Sequence, residues 1–175
     1  MPERHETDPP GLHIHLAGGV GRGPTKLAAF DCALRTVGVA NYNLIRLSSV
    51  IPPRSLLNVS TVALSPPGRW GDRLYVVAAE WRTDVPGTHA WAGIGWIQDP
   101  DLGHGLFVEH EGESEAEVRD DIQTTLASLR QGRGPVGDRL GDVQMVISGA
   151  TCVDEPVSAL VLAVFTAEAW PGVVN

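Results

Sequence analysis

The chain has 175 residues, of which 43% are hydrophobic, and this is enough for one globular domain with a buried core. Its formal net charge of -8 argues against nucleic acid and anionic membranes as partners, because both would repel it at long range. Lys26 is the single lysine, so an enzyme using pyridoxal phosphate would have only one residue to anchor that cofactor.

The cysteine content and the apolar segments predict a cytoplasmic protein without a membrane-spanning helix. Two cysteines, Cys32 and Cys152, are too few for a disulfide framework or a four-thiolate zinc site, so we expect a reducing cytoplasm. Residues 1–10 are polar and rich in proline, which predicts a disordered tail before a single domain at 11–175. The most apolar run, 157–167, has about half the roughly 20 residues that a membrane-spanning helix needs, and we interpret it as a buried strand.

The first elements follow from local patterns. Leu12, Ile14 and Leu16 alternate with less apolar residues, which predicts a strand, and residues 18–23 are interpreted as a glycine-rich turn. Apolar residues then recur at three- and four-residue spacing, so a first helix is predicted from Thr25 to Gly38. Asp31 is predicted to lie close to the apolar stripe of this helix, where a carboxylate needs a partner.

The rest of the chain alternates strand-like segments with one long helix. Ser114 and Glu117 form a capping box that predicts a second helix ending at Gly132. A turn at residues 84–87 is predicted to join its two flanking strands as a hairpin. These elements predict an α+β sandwich with helices packed on mixed or antiparallel sheets. The remaining strands are predicted at 39–49, 73–82, 88–97, 105–110, 142–151 and 156–166.

Three common functional motifs are not matched. The glycines of 18–23 fit neither G-x-G-x-x-G nor the P-loop, so a plain turn is favoured over an anion site. His13 and His15 could offer two imidazoles to a metal, but no H-E-x-x-H or C-x-x-C supports them, and exposed histidines are the preferred interpretation. The chain also lacks the G-x-S-x-G turn of serine hydrolases.

The segment at 41–53 carries a less common combination. A strand with two asparagines ends in Ser48 and Ser49 and is stopped by two prolines. An ordinary strand end is one interpretation. The other is an N-to-O acyl shift, in which a serine hydroxyl attacks the preceding carbonyl when the backbone is strained and an amide such as Asn43 stabilises the oxyanion.

These residues resemble the pyruvoyl-dependent arginine decarboxylase family. The similarity is strongest over 25–53, which contains L-A-A-F-D at 27–31, N-L-I-R at 43–46 and the serine pair, and it returns in V-E-H-E-G at 108–112. The resemblance implies an αββα sandwich with two main helices. It also implies a homotrimer of αβ pairs with active sites between neighbouring subunits.

The resemblance further implies self-cleavage between Ser48 and Ser49, giving a β chain of residues 1–48 and an α chain of residues 49–175. Ser49 would become a covalent pyruvoyl group, which forms a Schiff base with the substrate amine and replaces pyridoxal phosphate, with no metal. The implied reaction is decarboxylation of L-arginine to agmatine and carbon dioxide, which serves polyamine biosynthesis.

The resemblance assigns roles to individual residues. Asp31 corresponds to the carboxylate that pairs with the substrate guanidinium, although a neighbouring arginine could satisfy it instead. Asn43 corresponds to an oxyanion or orienting donor, and Ser48 would become a new C-terminus beside the substrate. Glu109 corresponds to the acid that protonates the substrate α-carbon.

Several residues depart from the family pattern as we expect it and leave two alternatives open. One is a pyruvoyl enzyme for another cationic or small amino acid. The other is an uncleaved, non-catalytic binding or assembly subunit. The departing residues are Cys32, Tyr42, Val50, Ile51, Arg54 and His110.

Overall fold

The structure is a computed structural model that describes residues 11–172, so the predicted tail at 1–10 lies outside the described residues. Two β-sheets face each other, and a helix covers the outer surface of each. The predicted α+β class is confirmed. The elements in chain order are β1 (His13–Arg22), α1 (Lys26–Val37), β2 (Asn43–Arg46), β3 (Val50–Ile51), β4 (Leu56–Val59), β5 (Arg73–Thr83), β6 (His89–Gln98), β7 (Gly105–Gly112), α2 (Glu115–Gln131), α3 (Gly134–Gly137), β8 (Gln144–Thr151) and β9 (Val157–Glu168).

The two sheets enclose the main core. The five-stranded sheet has the order β2-β5-β9-β1-β4, and the four-stranded sheet has the order β3-β7-β6-β8. Pairs β1–β4 and β2–β5 are parallel and the others are antiparallel. The apolar run of β9 is buried from Val157 to Phe165 in the middle of the larger sheet, as predicted for a buried strand. No helix within residues 11–172 is long and apolar enough to cross a membrane.

Helix α1 begins and ends where its capping residues predict. The Thr25 Oγ1 atom accepts a hydrogen bond from the Ala28 amide at 3.1 Å, and Gly38 ends the helix with a left-handed φ of 92°. The predicted turn at 18–23 is wrong, because β1 continues through Gly21 to Arg22. A Cβ on Gly21 would lie 2.0 Å from the Ala29 carbonyl oxygen, so the glycine lets α1 pack directly on the strand.

The predicted hairpin around residues 84–87 is also wrong. Strand β5 belongs to the five-stranded sheet and β6 to the four-stranded sheet, so the turn carries the chain from one sheet to the other. After the turn, Gly87 donates its amide to the Cys152 carbonyl and Thr88 accepts from the Cys152 amide. Those contacts attach the chain to the end of β8 and leave β5 to pair with β9.

The strand predicted at 39–49 is shorter than expected, because the chain changes sheets within it. The Leu47 amide donates to the Val76 carbonyl in the five-stranded sheet at 2.9 Å. Two residues later, the Ser49 carbonyl accepts from the Phe107 amide in the four-stranded sheet at 2.8 Å. The serine pair therefore lies at the crossing between the two sheets.

Candidate active site

The backbone at the serine pair is strained. Ser49 has a φ of 67°, and Arg54 is the only other non-glycine residue with a positive φ within the described part of the chain. Left-handed backbone costs an L-residue on the order of 1–2 kcal/mol. The bond at Ser48–Ser49 is therefore held in a conformation that most residues avoid, and such strain concentrates at functional sites.

A carboxylate lies directly against the hydroxyl of this serine. The Ser49 Oγ atom donates a 2.6 Å hydrogen bond to Oε1 of Glu109. Glu109 pairs with Ile94 across the β6–β7 ladder, so its side chain points to the side of the four-stranded sheet that faces the core. Ser49 thus has a proton acceptor within hydrogen-bonding distance.

The two residues line an open cleft of about 390 Å³ at the edge of β7. Strand β3 pairs with β7 only at Gly105 and Leu106, so the β7 edge that follows is left without a neighbouring strand. Ser48 and Ser49 form one wall of the cleft, and the residues from Leu106 to His110 form another. The C-terminal half of α2 closes the outer side.

Three further lining residues were not predicted from the sequence to be part of the site, although His110 was noted there as a departure from the family pattern. His110 Nε2 and Thr125 Oγ1 are 2.8 Å apart, which links β7 to α2. Arg133 lines the same cleft, and its Nη1 atom donates to the Leu129 carbonyl at 3.0 Å. The alternation of β7 predicts that His110 faces away from Glu109, but the pairing with α2 depends on tertiary packing and has no local signal.

Asp31 is not in this cleft within one chain. It lies on α1, on the outer side of the five-stranded sheet, and its side chain is 57% exposed. Its Oδ2 atom is 3.1 Å from the Arg35 Nε atom, so an arginine one turn later is its partner in the single chain. Asp31 does lie beside the apolar stripe, since it lines a surface pocket with Leu27, Phe30 and Leu34, but the start of that stripe is not buried, because Leu27 is 69% exposed.

Asn43 is also apart from the serine pair. It begins β2, whereas the serines follow the other end of that strand. Its Nδ2 atom donates to the Gly71 carbonyl at 2.6 Å, and it does not line the cleft. A single chain therefore brings together Ser48, Ser49 and Glu109 and leaves Asp31 and Asn43 elsewhere.

Comparisons with known proteins identify the family of this chain. The sequence model of the pyruvoyl-dependent arginine decarboxylases matches residues 13–169. A protein of that name from Halobacterium salinarum is 43% identical over 113 residues, covering 64% of this chain and 68% of the relative. Another from Thermococcus kodakarensis is 29% identical over 151 residues, covering 85% and 91%.

The resemblance drawn from the serine pair and the two flanking motifs is thus confirmed over most of the chain. Members of this family are carboxy-lyases that depend on a covalent pyruvoyl group. A hydroxyl on strained backbone, bonded to a carboxylate, fits the formation of that group at Ser49. The chain belongs to the pyruvoyl-dependent arginine decarboxylase family.

Proposed function

We propose that this chain cleaves itself between Ser48 and Ser49 and then decarboxylates L-arginine to agmatine and carbon dioxide. The observation that carries the proposal is the 2.6 Å hydrogen bond from Ser49 to Glu109 at a residue with left-handed backbone. Family membership supports the same reaction. The cleavage would give a β chain of residues 1–48 and an α chain of residues 49–175.

The nucleophile and the proton acceptor for the cleavage both line the cleft. The Ser49 Oγ atom attacks the Ser48 carbonyl carbon while Glu109 accepts the hydroxyl proton, and the amide nitrogen is protonated as the C–N bond breaks. Glu109, ionised again once its proton has passed to the amide nitrogen, accepts the α-proton of residue 49 as β-elimination releases the Ser48 carboxylate and leaves dehydroalanine at position 49. Water replaces the nitrogen, so ammonia leaves and a ketone remains.

In the mature enzyme, the pyruvoyl group supplies an electron sink for the electron pair that is left when carbon dioxide departs. Glu109 stands beside position 49 and delivers a proton to the substrate α-carbon. The new carboxylate of Ser48 remains in the wall of the cleft. Each of these tasks is assigned to a residue of the chain itself.

Asp31 and Asn43 enter the proposal through a second subunit. Asp31 is separated from the Ser49 cleft in one chain, and beside it Leu27 exposes 69% of its side chain. A homotrimer of αβ pairs would cover such a face and bring Asp31 to a neighbouring cleft, where it would bind the substrate guanidinium in a bidentate hydrogen bond. Asn43 of the subunit that supplies Asp31 would orient the substrate.

The deciding experiment follows the mass and activity of the purified chain. We expect a denaturing gel to show two pieces, and mass spectrometry to show a larger piece that begins with a pyruvoyl group. Carbon dioxide should be released from arginine without pyridoxal phosphate. Ser49→Ala should stay continuous and inactive. A wild-type chain that remains one band on the gel would overturn the proposal that it is an enzyme and would favour a non-catalytic binding or assembly subunit.

Substrate identity needs a separate test. A panel of cationic and small amino acids should show arginine with the highest kcat/KM. Asp31→Asn should cleave normally but raise KM for arginine, since the variant loses the charged partner of the guanidinium. A higher kcat/KM for another amino acid, unaffected by Asp31→Asn, would assign that amino acid instead.

A further inference from the structure

A positive charge lines the Ser49 cleft and has no acidic partner in the described chain. Arg133 is the only arginine or lysine among the residues that line this cleft. Its one hydrogen bond runs from Nη1 to the Leu129 carbonyl, and none of the ion pairs within residues 11–172 includes it. The rest of its guanidinium is free to bind a ligand.

The two arginines of α2, Arg119 and Arg130, already have protein partners. Arg119 forms an ion pair with Glu115 one turn earlier in α2, with 2.7 Å between Nη2 and Oε1. Arg130 donates to the Gly141 carbonyl and holds the segment after α3 against the helix. Arg133 stands between Gly132 and Gly134, so its two neighbours in the sequence carry no side chains.

The proposed reaction leaves one group of the substrate without a partner in the cleft. The α-amine must reach position 49, and the α-carbon must come within reach of Glu109. The α-carboxylate then needs a cation, and a planar guanidinium is the side chain that matches a carboxylate in two parallel hydrogen bonds. Arg133 provides the guanidinium in this cleft.

We propose that Arg133 binds the α-carboxylate of the amino-acid substrate and thereby distinguishes the substrate from its amine product. The proposal rests on the proposed function and deepens it. The product has lost the carboxylate, so it loses this contact as soon as carbon dioxide leaves. Arg133 therefore favours binding of the amino acid and release of the amine.

The kinetic consequence differs from that of a proton-transfer residue. The ion pair with Arg133 exists in the ground state and weakens in the transition state, because the carboxylate turns into neutral carbon dioxide while the electron pair of the broken Cα–C bond passes to the electron sink. Removing it should raise KM: kcat stays unchanged if the transition state loses as much binding as the ground state, and rises if the ground state loses more. Loss of Glu109 would lower kcat instead.

The test compares Arg133→Gln, Arg133→Lys and the control Arg119→Gln, which removes an equal charge from the first half of α2, whereas Arg133 follows the end of that helix. Cleaved proteins are reduced with borohydride so that the ketone no longer reacts, and the Kd of arginine and of agmatine is measured by calorimetry. We expect Arg133→Gln to weaken arginine about tenfold and agmatine less than about twofold. Arg133→Lys should fall between, and Arg119→Gln should match the wild type.

Steady-state kinetics on the unreduced enzymes should give a KM for arginine about tenfold higher in Arg133→Gln, with kcat not reduced. If Arg133→Gln unfolds at a lower temperature, the graded response of Arg133→Lys decides the question. Equal weakening of arginine and agmatine, or a fall in kcat at constant KM, would overturn the inference while the proposed function stands.

Two wild-type results bear on the proposed function directly. A wild-type chain that stays continuous on a gel removes that function and this inference together. A wild-type enzyme that prefers another amino acid changes only the ligands, because every α-amino acid carries the same carboxylate. The comparison is then made between that amino acid and its own amine, with the same expected difference.

Discussion

Ser49 is bound at two points by residues that lie two positions apart on β7. Its carbonyl accepts the amide of Phe107 at 2.8 Å, and its hydroxyl donates to Glu109 at 2.6 Å. Backbone and side chain are therefore fixed by one strand, although Glu109 is 60 residues away in the sequence. This double attachment explains how an unfavourable φ is maintained at Ser49, since relaxing the backbone would break both hydrogen bonds.

Glu109→Gln tests the role of the carboxylate in self-cleavage. Glutamine keeps the size of the side chain but cannot accept the Ser49 proton, so we expect cleavage to slow by about 10²- to 10⁴-fold. The half-time for the appearance of two pieces on a denaturing gel measures this. Glu111→Gln, on the same face of the same strand, is the matched control and should cleave at the wild-type rate. Equal rates for all three chains would contradict a proton-acceptor role for Glu109.

A pair of variants isolates the strain at position 49. Ser49→Ala and Ser49→Gly both lack the hydroxyl, so both should remain continuous and lose the same hydrogen bond. Glycine adopts a φ of 67° without steric conflict, whereas alanine does not. The free energy of unfolding of Ser49→Gly should therefore be about 1 kcal/mol higher than that of Ser49→Ala. Urea unfolding of the two proteins gives this difference. A more stable alanine variant would show that the backbone there is unstrained.

The helices could be predicted because their signals are local. Thr25 and Gly38 bound α1, and Ser114 accepts from the Glu117 amide at 3.1 Å as the capping pattern predicts. The buried face of α1 was only partly predictable, because Ala29 and Ala33 join Leu34 and Val37 in it, whereas Leu27 is exposed. Glycines in β1 allow the close contact with α1. The spacing of apolar residues within each segment does not show that the surfaces of β1 and α1 fit together.

Strand pairing could not be predicted, because partners are chosen by the whole sheet. The sequence at 84–87 has the composition of a hairpin turn, yet β9 takes the place beside β5 along all of Arg73 to Thr83. β4 was not predicted at all, and it forms by pairing with β1 far back in the chain. The same limit applies to the cleft, where Ser49 and Glu109 were linked by resemblance and Thr125 and Arg133 arrive only through the packing of α2.

Gly95→Ala tests the packing that positions α2 over the cleft. A Cβ at Gly95 would lie 2.1 Å from Cγ2 of Ile122, a fully buried side chain that cannot move into solvent. We expect the free energy of unfolding to fall by about 1–3 kcal/mol, because α2 must shift away from β6. Gly132→Ala is the control, since its φ of -64° and open surroundings accept a methyl group. Equal stability of the two variants would contradict close packing of α2 on Gly95.

The turn between β6 and β7 should make stability depend on acid pH through Asp99. This side chain is 1% exposed, and the amide of Leu102 holds its pKa below the ordinary value of 3.8; burial opposes the effect, and the Asp101 amide and Arg139 add to it. Because the pKa of Asp99 is lower in the folded state than in the unfolded state, its ionised carboxylate stabilises the fold above about pH 4. That contribution is lost as the pH falls below the ordinary aspartate pKa and then through the lowered pKa of the folded state.

Asp99→Asn removes this charge while keeping an oxygen that can accept the Leu102 and Asp101 amides, each 2.9 Å away in the wild type. The variant should therefore be less stable than the wild type near pH 7, and the difference should shrink as the pH is lowered from about 5 to about 3. Urea unfolding at a series of pH values measures the difference, with the exposed Asp101→Asn as a control for net charge. A difference that stays constant over this range would mean that the ionised carboxylate does not stabilise the turn that leads into β7.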